Sequence, residues 1–180
     1  MTPIKARETI SEVDDPKHLL LTHIMNAPGI RYRELLRLTG LSNGVLSYHL
    51  GALEKSYQIR VDRQLDSKTT RYYSISIPNQ DSEILGQLRN SVAREIIKFI
   101  LEHDLCTFIE IVEHLRKAPS TISWYLKRLK EAGIISVKYG QEYQLYQILN
   151  PEVVADVLYK YKESLADKVV NNYTQIVEEL

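Results

Sequence analysis

The chain has 180 residues, 44% of them hydrophobic, with 23 basic and 23 acidic side chains and one cysteine. This is the composition of a globular protein with one sizeable core or two small ones, and it excludes a disulfide framework or a cysteine-rich zinc site. No apolar run reaches membrane-span length, and Met1-Thr2-Pro3-Ile4-Lys5 lacks the apolar core of a signal peptide, so a cytoplasmic protein without membrane contact is expected. The zero net charge is uneven: residues 16–150 hold 18 basic and 13 acidic side chains, and both ends are acidic. A basic middle fits contact with nucleic acid.

In chain order, Asp15 is placed to cap a helix starting at Pro16, where a missing N–H costs nothing, and Pro28-Gly29 ends it. A short helix over about 32–39 stops at Gly40. Ser42 then caps a third helix to about Ser56, with Leu46, Leu50 and Leu53 on one face. Residues 59–63 and 70–77 alternate as strands around the turn-like Leu65-Asp66-Ser67-Lys68. The unit over 16–78 is thus three helices and a hairpin, preceded by an extension at 1–15.

Residues 79–90 read as a helical linker containing Ile84, Leu85 and Leu88, running on through Val92. Over 91–150 the first unit is repeated. Shifted by 76 positions, residues 20–59 align without a gap on 96–135, and Leu46, Ser47, Leu50, Leu53 and Ile59 fall on Ile122, Ser123, Leu126, Leu129 and Ile135. Local signals agree: Thr107 and Glu110 form a capping box, Pro119 opens the third helix, Gly133 ends it, and strands follow at 134–138 and 143–148. From Asn150-Pro151, apolar residues at 154, 157, 161, 165, 169, 173, 176 and 180 stripe a helix over 151–180. Such a stripe requires a partner, either its own modules or a second subunit, and a homodimer through this helix is expected.

The stretch Ser42-Asn43-Gly44-Val45-Leu46-Ser47-Tyr48-His49-Leu50-Gly51-Ala52-Leu53-Glu54-Lys55 resembles the recognition helix of ArsR/MarR-type winged-helix regulators. So does Ser120-Thr121-Ile122-Ser123-Trp124-Tyr125-Leu126-Lys127-Arg128-Leu129-Lys130-Glu131-Ala132-Gly133-Ile134-Ile135, whose Glu-Ala-Gly-Ile-Ile exit is typical of that superfamily. The whole is similar to archaeal-type regulators with two such modules. The resemblance implies a mainly α fold with small β-hairpin wings (α+β): two winged helix-turn-helix domains in tandem plus a C-terminal helix. It further implies double-stranded DNA as the partner. The first copy leaves its third helix through Lys55-Ser56-Tyr57-Gln58 rather than a glycine, and the cysteine pair of metal-sensing members is absent. No metal or cofactor is expected.

A helix entering the major groove needs an apolar face toward its core and small or polar side chains outside. Ser42, Asn43, Ser47 and Tyr48 occupy such positions in the first copy, and Ser120, Thr121, Ser123, Trp124 and Lys127 do so in the second; His49, next to the core leucines, is a further candidate DNA contact. Arg60, Arg63, Lys68 and Arg71 on the first hairpin, with Lys127, Arg128, Lys130 and Lys138 in the second module, are candidates for phosphate contacts. Each has a plainer alternative. Ser42 and Ser120 could serve only as caps, His49 and Tyr125 only as packing, Trp124 as a partner contact, and the wing arginines as a solvated face. Cys106 reads as core filler. His18, His23, His49, His103 and His114 lack metal-ligand spacing, and no phosphate-cradling loop or nucleophile elbow occurs, so a non-enzymatic protein is expected. The rival reading is a tandem winged-helix protein-interaction scaffold, as in ESCRT-II-like or RNA polymerase-associated subunits. A small-molecule effector is a further possibility, without a pocket to assign.

Overall fold

The computed structural model describes residues 15–63, 69–140 and 143–166. The chain divides into two compact units, 1–77 and 78–180.

In the first unit, α1 (Pro16–Asn26) begins at Asp15, whose carboxylate accepts from the Lys17 N–H, with Pro16 at the first position. A two-residue strand, β1 (Ile30–Arg31), leads into α2 (Tyr32–Thr39), which ends at Gly40 with φ 65°. That left-handed conformation is the one glycine adopts without strain. The helix α3 (Asn43–Lys55) starts at Ser42, whose hydroxyl accepts from the Val45 N–H. Leu46, Leu50 and Leu53 recur every three or four residues on α3 and are buried against Leu20, Ile24, Leu35 and Ile59. Each such leucine contributes roughly 1.5–3 kcal/mol by leaving water. Strands β2 (Ile59–Arg63) and β3 (Thr70–Ser74) form the hairpin, and the sheet order is β1-β3-β2, all antiparallel.

The second unit opens with α4 (Asn79–Leu88) and α5 (Ser91–His103). A single helix through Val92 was the expectation; the Asn90 side chain instead accepts from the N–H groups of Val92 and Ala93 and starts a new helix. The lobe then repeats the first: β4 (Cys106–Thr107), α6 (Phe108–Leu115), α7 (Pro119–Glu131), β5 (Ile135–Tyr139) and β6 (Gln144–Ile148), in sheet order β4-β6-β5. The Thr107/Glu110 capping box is present, and Gly133, φ 67°, closes α7.

The C-terminal stripe departs from the expected single helix, and over the described part it meets the first of its two alternatives, packing within its own chain. The helix breaks at Tyr161 into α8 (Pro151–Lys160) and α9 (Lys162–Leu165). Its first four apolar positions, Val154, Val157, Tyr161 and Leu165, are already buried within the single chain. Asp81 fastens this segment to α4, accepting from Lys160 Nζ at 3.0 Å and from Tyr161 Oη at 2.9 Å. These four positions are therefore not available to a second subunit, and positions 169, 173, 176 and 180 lie outside the described residues. Among the described residues no helix is long and apolar enough to cross a membrane.

Candidate nucleic-acid interface

Each lobe turns one face of its third helix into the core and the other outward. On α3, Ser42, Asn43, Ser47 and Tyr48 are exposed, Tyr48 by 73%, and His49 is half-buried with its ring edge-on to Tyr48 at 5.2 Å. On α7, Ser120, Ser123, Trp124 and Lys127 are exposed, Thr121, Tyr125 and Arg128 are half-buried, and Trp124 and Tyr125 repeat the edge-on pair at 4.7 Å. The duplication thus extends from core positions to neighbouring aromatic rings on the outer face.

The caps separate the two serines. Ser42 is the N-cap of α3, so its hydroxyl has a structural role whatever else it touches. Ser120 is not a cap: Ala118 precedes Pro119 at the start of α7, and Ser120 stands on its first turn.

Tyr32, at the start of α2, was not singled out in the sequence. Its hydroxyl lies 3.1 Å from the Asn43 carbonyl oxygen, 3.3 Å from Asn43 Oδ1 and 2.9 Å from Ser47 Oγ. The phenol has one proton, so when Tyr32 donates to Asn43, Ser47 donates to Tyr32. Two predicted contact residues are thereby held in fixed orientations. Arg33 and Arg37 were missed as well. Both are exposed, one turn apart on α2, and among the described residues neither forms an ion pair. Spacing of four residues on a helix with Leu35 and Leu36 facing inward was the available signal.

The wing cations are largely committed within the chain. Arg63 forms a bidentate pair with Glu54, both contacts 2.8 Å, and this holds the Glu54 carboxyl below the usual carboxylate range. Arg60 donates to the Ile77 carbonyl at 3.3 Å and lies 5.8 Å from the Tyr73 ring centre. Arg71 corrects the expectation of a phosphate contact. It is 5% exposed, donates from Nη1 to the Gly29 carbonyl at 2.9 Å, and burial lowers its pKa. The pairing of β3 with β1 sets Arg71 opposite Arg31, beside the turn that carries Gly29, and brings its guanidinium to the Gly29 carbonyl. Lys68 lies outside the described residues.

In the second lobe, Lys138 is exposed on β5, and Lys127 approaches Glu131 only at 3.9 Å. The Arg128 guanidinium stands 4.8 Å from the Trp124 ring centre, a cation–π contact on the outer face. Cys106 is buried and its thiol is pushed up to about 11, first by burial. Among the described residues no group of three His, Cys, Asp or Glu side chains is arranged to hold a metal. A cavity of about 620 Å³ in the second unit is lined by Arg94, Lys98, Leu101, Leu158, Tyr159 and Lys162, among others.

Comparison with known proteins divides the chain in the same way. Residues 14–56 match the family described as winged helix-turn-helix DNA-binding, and residues 90–137 match the bacterial regulatory protein arsR family. An uncharacterized HTH-type transcriptional regulator of Methanocaldococcus jannaschii is 25% identical over 126 residues, 70% of this chain and 31% of the relative. The chain thus aligns with about a third of that protein's length. With two lobes of the same build, each matched over its three helices by a helix-turn-helix family, the chain is a tandem winged helix-turn-helix protein similar to archaeal-type transcription regulators.

Proposed function

We propose that this protein is a transcription regulator that binds double-stranded DNA with sequence preference and acts as a homodimer. The observation that carries the proposal is the outer face of the third helices. Ser42, Asn43, Ser47 and Tyr48 stand exposed on α3 while its leucines hold the lobe together. A helix of that shape fits the major groove, where short polar side chains reach base edges. The matching families and the relative support the regulatory reading.

The homodimer is proposed to read a pseudo-palindromic site, one third helix per half-site. Sedimentation should give about twice the 20.9 kDa chain mass. Binding is tested by fluorescence anisotropy against a library of genomic duplexes. Sub-micromolar affinity that falls steeply with salt and differs among duplexes is expected. No binding at low salt, or equal affinity for every duplex, refutes the proposal. A protein-interaction scaffold is the second reading, favoured by Leu105, Ile109, Trp124, Tyr139 and Tyr143, all exposed on the second lobe.

A further inference from the structure

We infer that the first lobe grips the duplex through α2 and α3 together, and that the matching surface of the second lobe does not. The inference rests on the DNA-binding reading above and assigns it to one of two similar surfaces. Net charge does not distinguish them, since residues 31–55 and 107–131 each hold a surplus of two basic side chains. Placement does.

Arg33 and Arg37 are exposed one turn apart on the outer side of α2 and are not paired with a carboxylate among the described residues. In helix-turn-helix docking the helix before the recognition helix crosses the phosphate backbone, and two guanidinium groups one turn apart on it can each hold a phosphate. At the corresponding positions of α6 stand Ile109, 55% exposed, and Glu113, also exposed. An isoleucine offers a phosphate nothing, and a glutamate repels it.

The second difference lies beneath this surface. Tyr32 fixes Ser47 and Asn43 through its hydroxyl, so their orientation is set before any ligand arrives. Its counterpart Phe108 has no hydroxyl, and no equivalent bond can hold Ser123.

The relief of the third helices differs in the same sense. Gly44, Ser47, Tyr48 and Gly51 form one stripe at helical spacing, and a Cβ built at Gly44 or Gly51 would meet nothing within 4 Å. The chain's own packing therefore does not require either glycine, although glycine is a poor residue inside a helix. A low surface there admits a backbone closely. On α7 the same positions are Ser120, Ser123, Trp124 and Lys127, with Arg128 lying over the indole.

The test uses the full chain and a labelled duplex selected from the genomic library, titrated at several salt concentrations. Arg33→Ala with Arg37→Ala should weaken binding at least tenfold and reduce the salt slope by about 3.6, the value of two lost phosphate contacts in each half of the dimer. Lys127→Ala with Arg128→Ala should stay within about twofold of the parent. Tyr32→Phe should change the ranking of duplexes and leave the salt slope intact, which a loss of charge contacts would not do. Thermal melts accompany each variant; Arg33, Arg37 and Lys127 are exposed, so unchanged melting is expected for the α2 pair, and binding of the Lys127/Arg128 variant is read below its own transition because Arg128 is half-buried against Trp124. Loss of affinity confined to the Lys127/Arg128 pair, or equal loss from both pairs, overturns the assignment to the first lobe while leaving the DNA-binding proposal standing. A parent chain that binds no duplex overturns both.

Discussion

Replacing Arg71 separates a structural arginine from a phosphate-binding one. On a wing, Arg71→Ala would be expected to cost DNA affinity and no stability. The structure reverses that expectation. The side chain is 5% exposed, and Nη1 is the donor to the Gly29 carbonyl, 2.9 Å away in a buried turn. Removing the donor leaves that carbonyl short of a partner, a loss of about 1–3 kcal/mol. The two methylenes lost beyond Cβ add about 1.6 kcal/mol at 0.8 kcal/mol each. Relief of the buried charge offsets part of this, since burial is the first cause of the lowered Arg71 pKa. A net loss of about 2–3 kcal/mol in a lobe of this size lowers its melting temperature by roughly 10–20 °C. Circular dichroism melts with and without the substitution measure it, and Arg71→Lys, which keeps the charge but not the forked geometry, should fall between. Below the melting transition the salt slope of duplex binding should be unchanged. If Arg71→Ala melts within about 2 °C of the parent and loses salt-dependent affinity, the burial argument is wrong.

Three further outcomes are expected. Glu54→Gln frees Arg63 from its bidentate partner in each subunit and should tighten duplex binding several-fold while steepening the salt slope by about two units for the dimer. Because the folded Glu54 pKa is lowered, the pair's contribution is full above the ordinary carboxylate range and is lost as pH falls through the lowered value; the pair is solvent-exposed, so melting should change little between pH 7 and that acid range. Gly29→Ala should destabilise more than Gly40→Ala: both glycines have positive φ, 79° and 65°, costing about 1–2 kcal/mol each for a side chain, but only at Gly29 would the new Cβ meet the Tyr73 ring, at 3.1 Å. Urea unfolding gives the order, and an equal loss at both sites contradicts it. Cys106, buried with its thiol raised to about 11, should resist iodoacetamide at pH 8 in the native protein and react once denatured, as read by mass spectrometry.

Elements whose signals are local were legible in the sequence. Ser42, Gly40, Thr107 with Glu110, Pro119 and Gly133 each satisfy or end a helix through their own side chain or backbone, and the helix boundaries follow them closely. The repeat carried the rest of the architecture, because one lobe's pattern predicts the other's. Strands β1 and β4 were not legible. Two residues show no alternation, and Ile30 and Cys106 become strand residues only when β3 and β6 arrive beside them. The burial of Arg71 was hidden for the same reason, since strand order within a sheet is a tertiary fact. The full stripe to position 180 suggested one continuous helix and left open whether its own modules or a second subunit covered it. The break at Tyr161 arises where Asp81, eighty residues away in sequence, takes its hydroxyl. At the interface, composition located the outer faces of α3 and α7 but not what lies beneath them. Tyr32 reads as a core aromatic by periodicity, and only the fold shows its hydroxyl reaching Ser47.

Tyr48 and Trp124 are exposed by 73% and 52% on corresponding outer faces, so each reports contact at its own third helix. Hydroxyl-radical footprinting of the full chain, with and without saturating duplex, reads both in one experiment. The account predicts that Tyr48 loses most of its reactivity on binding and that Trp124 keeps its own. A Tyr48 that stays fully reactive on a saturated duplex contradicts entry of α3 into the groove.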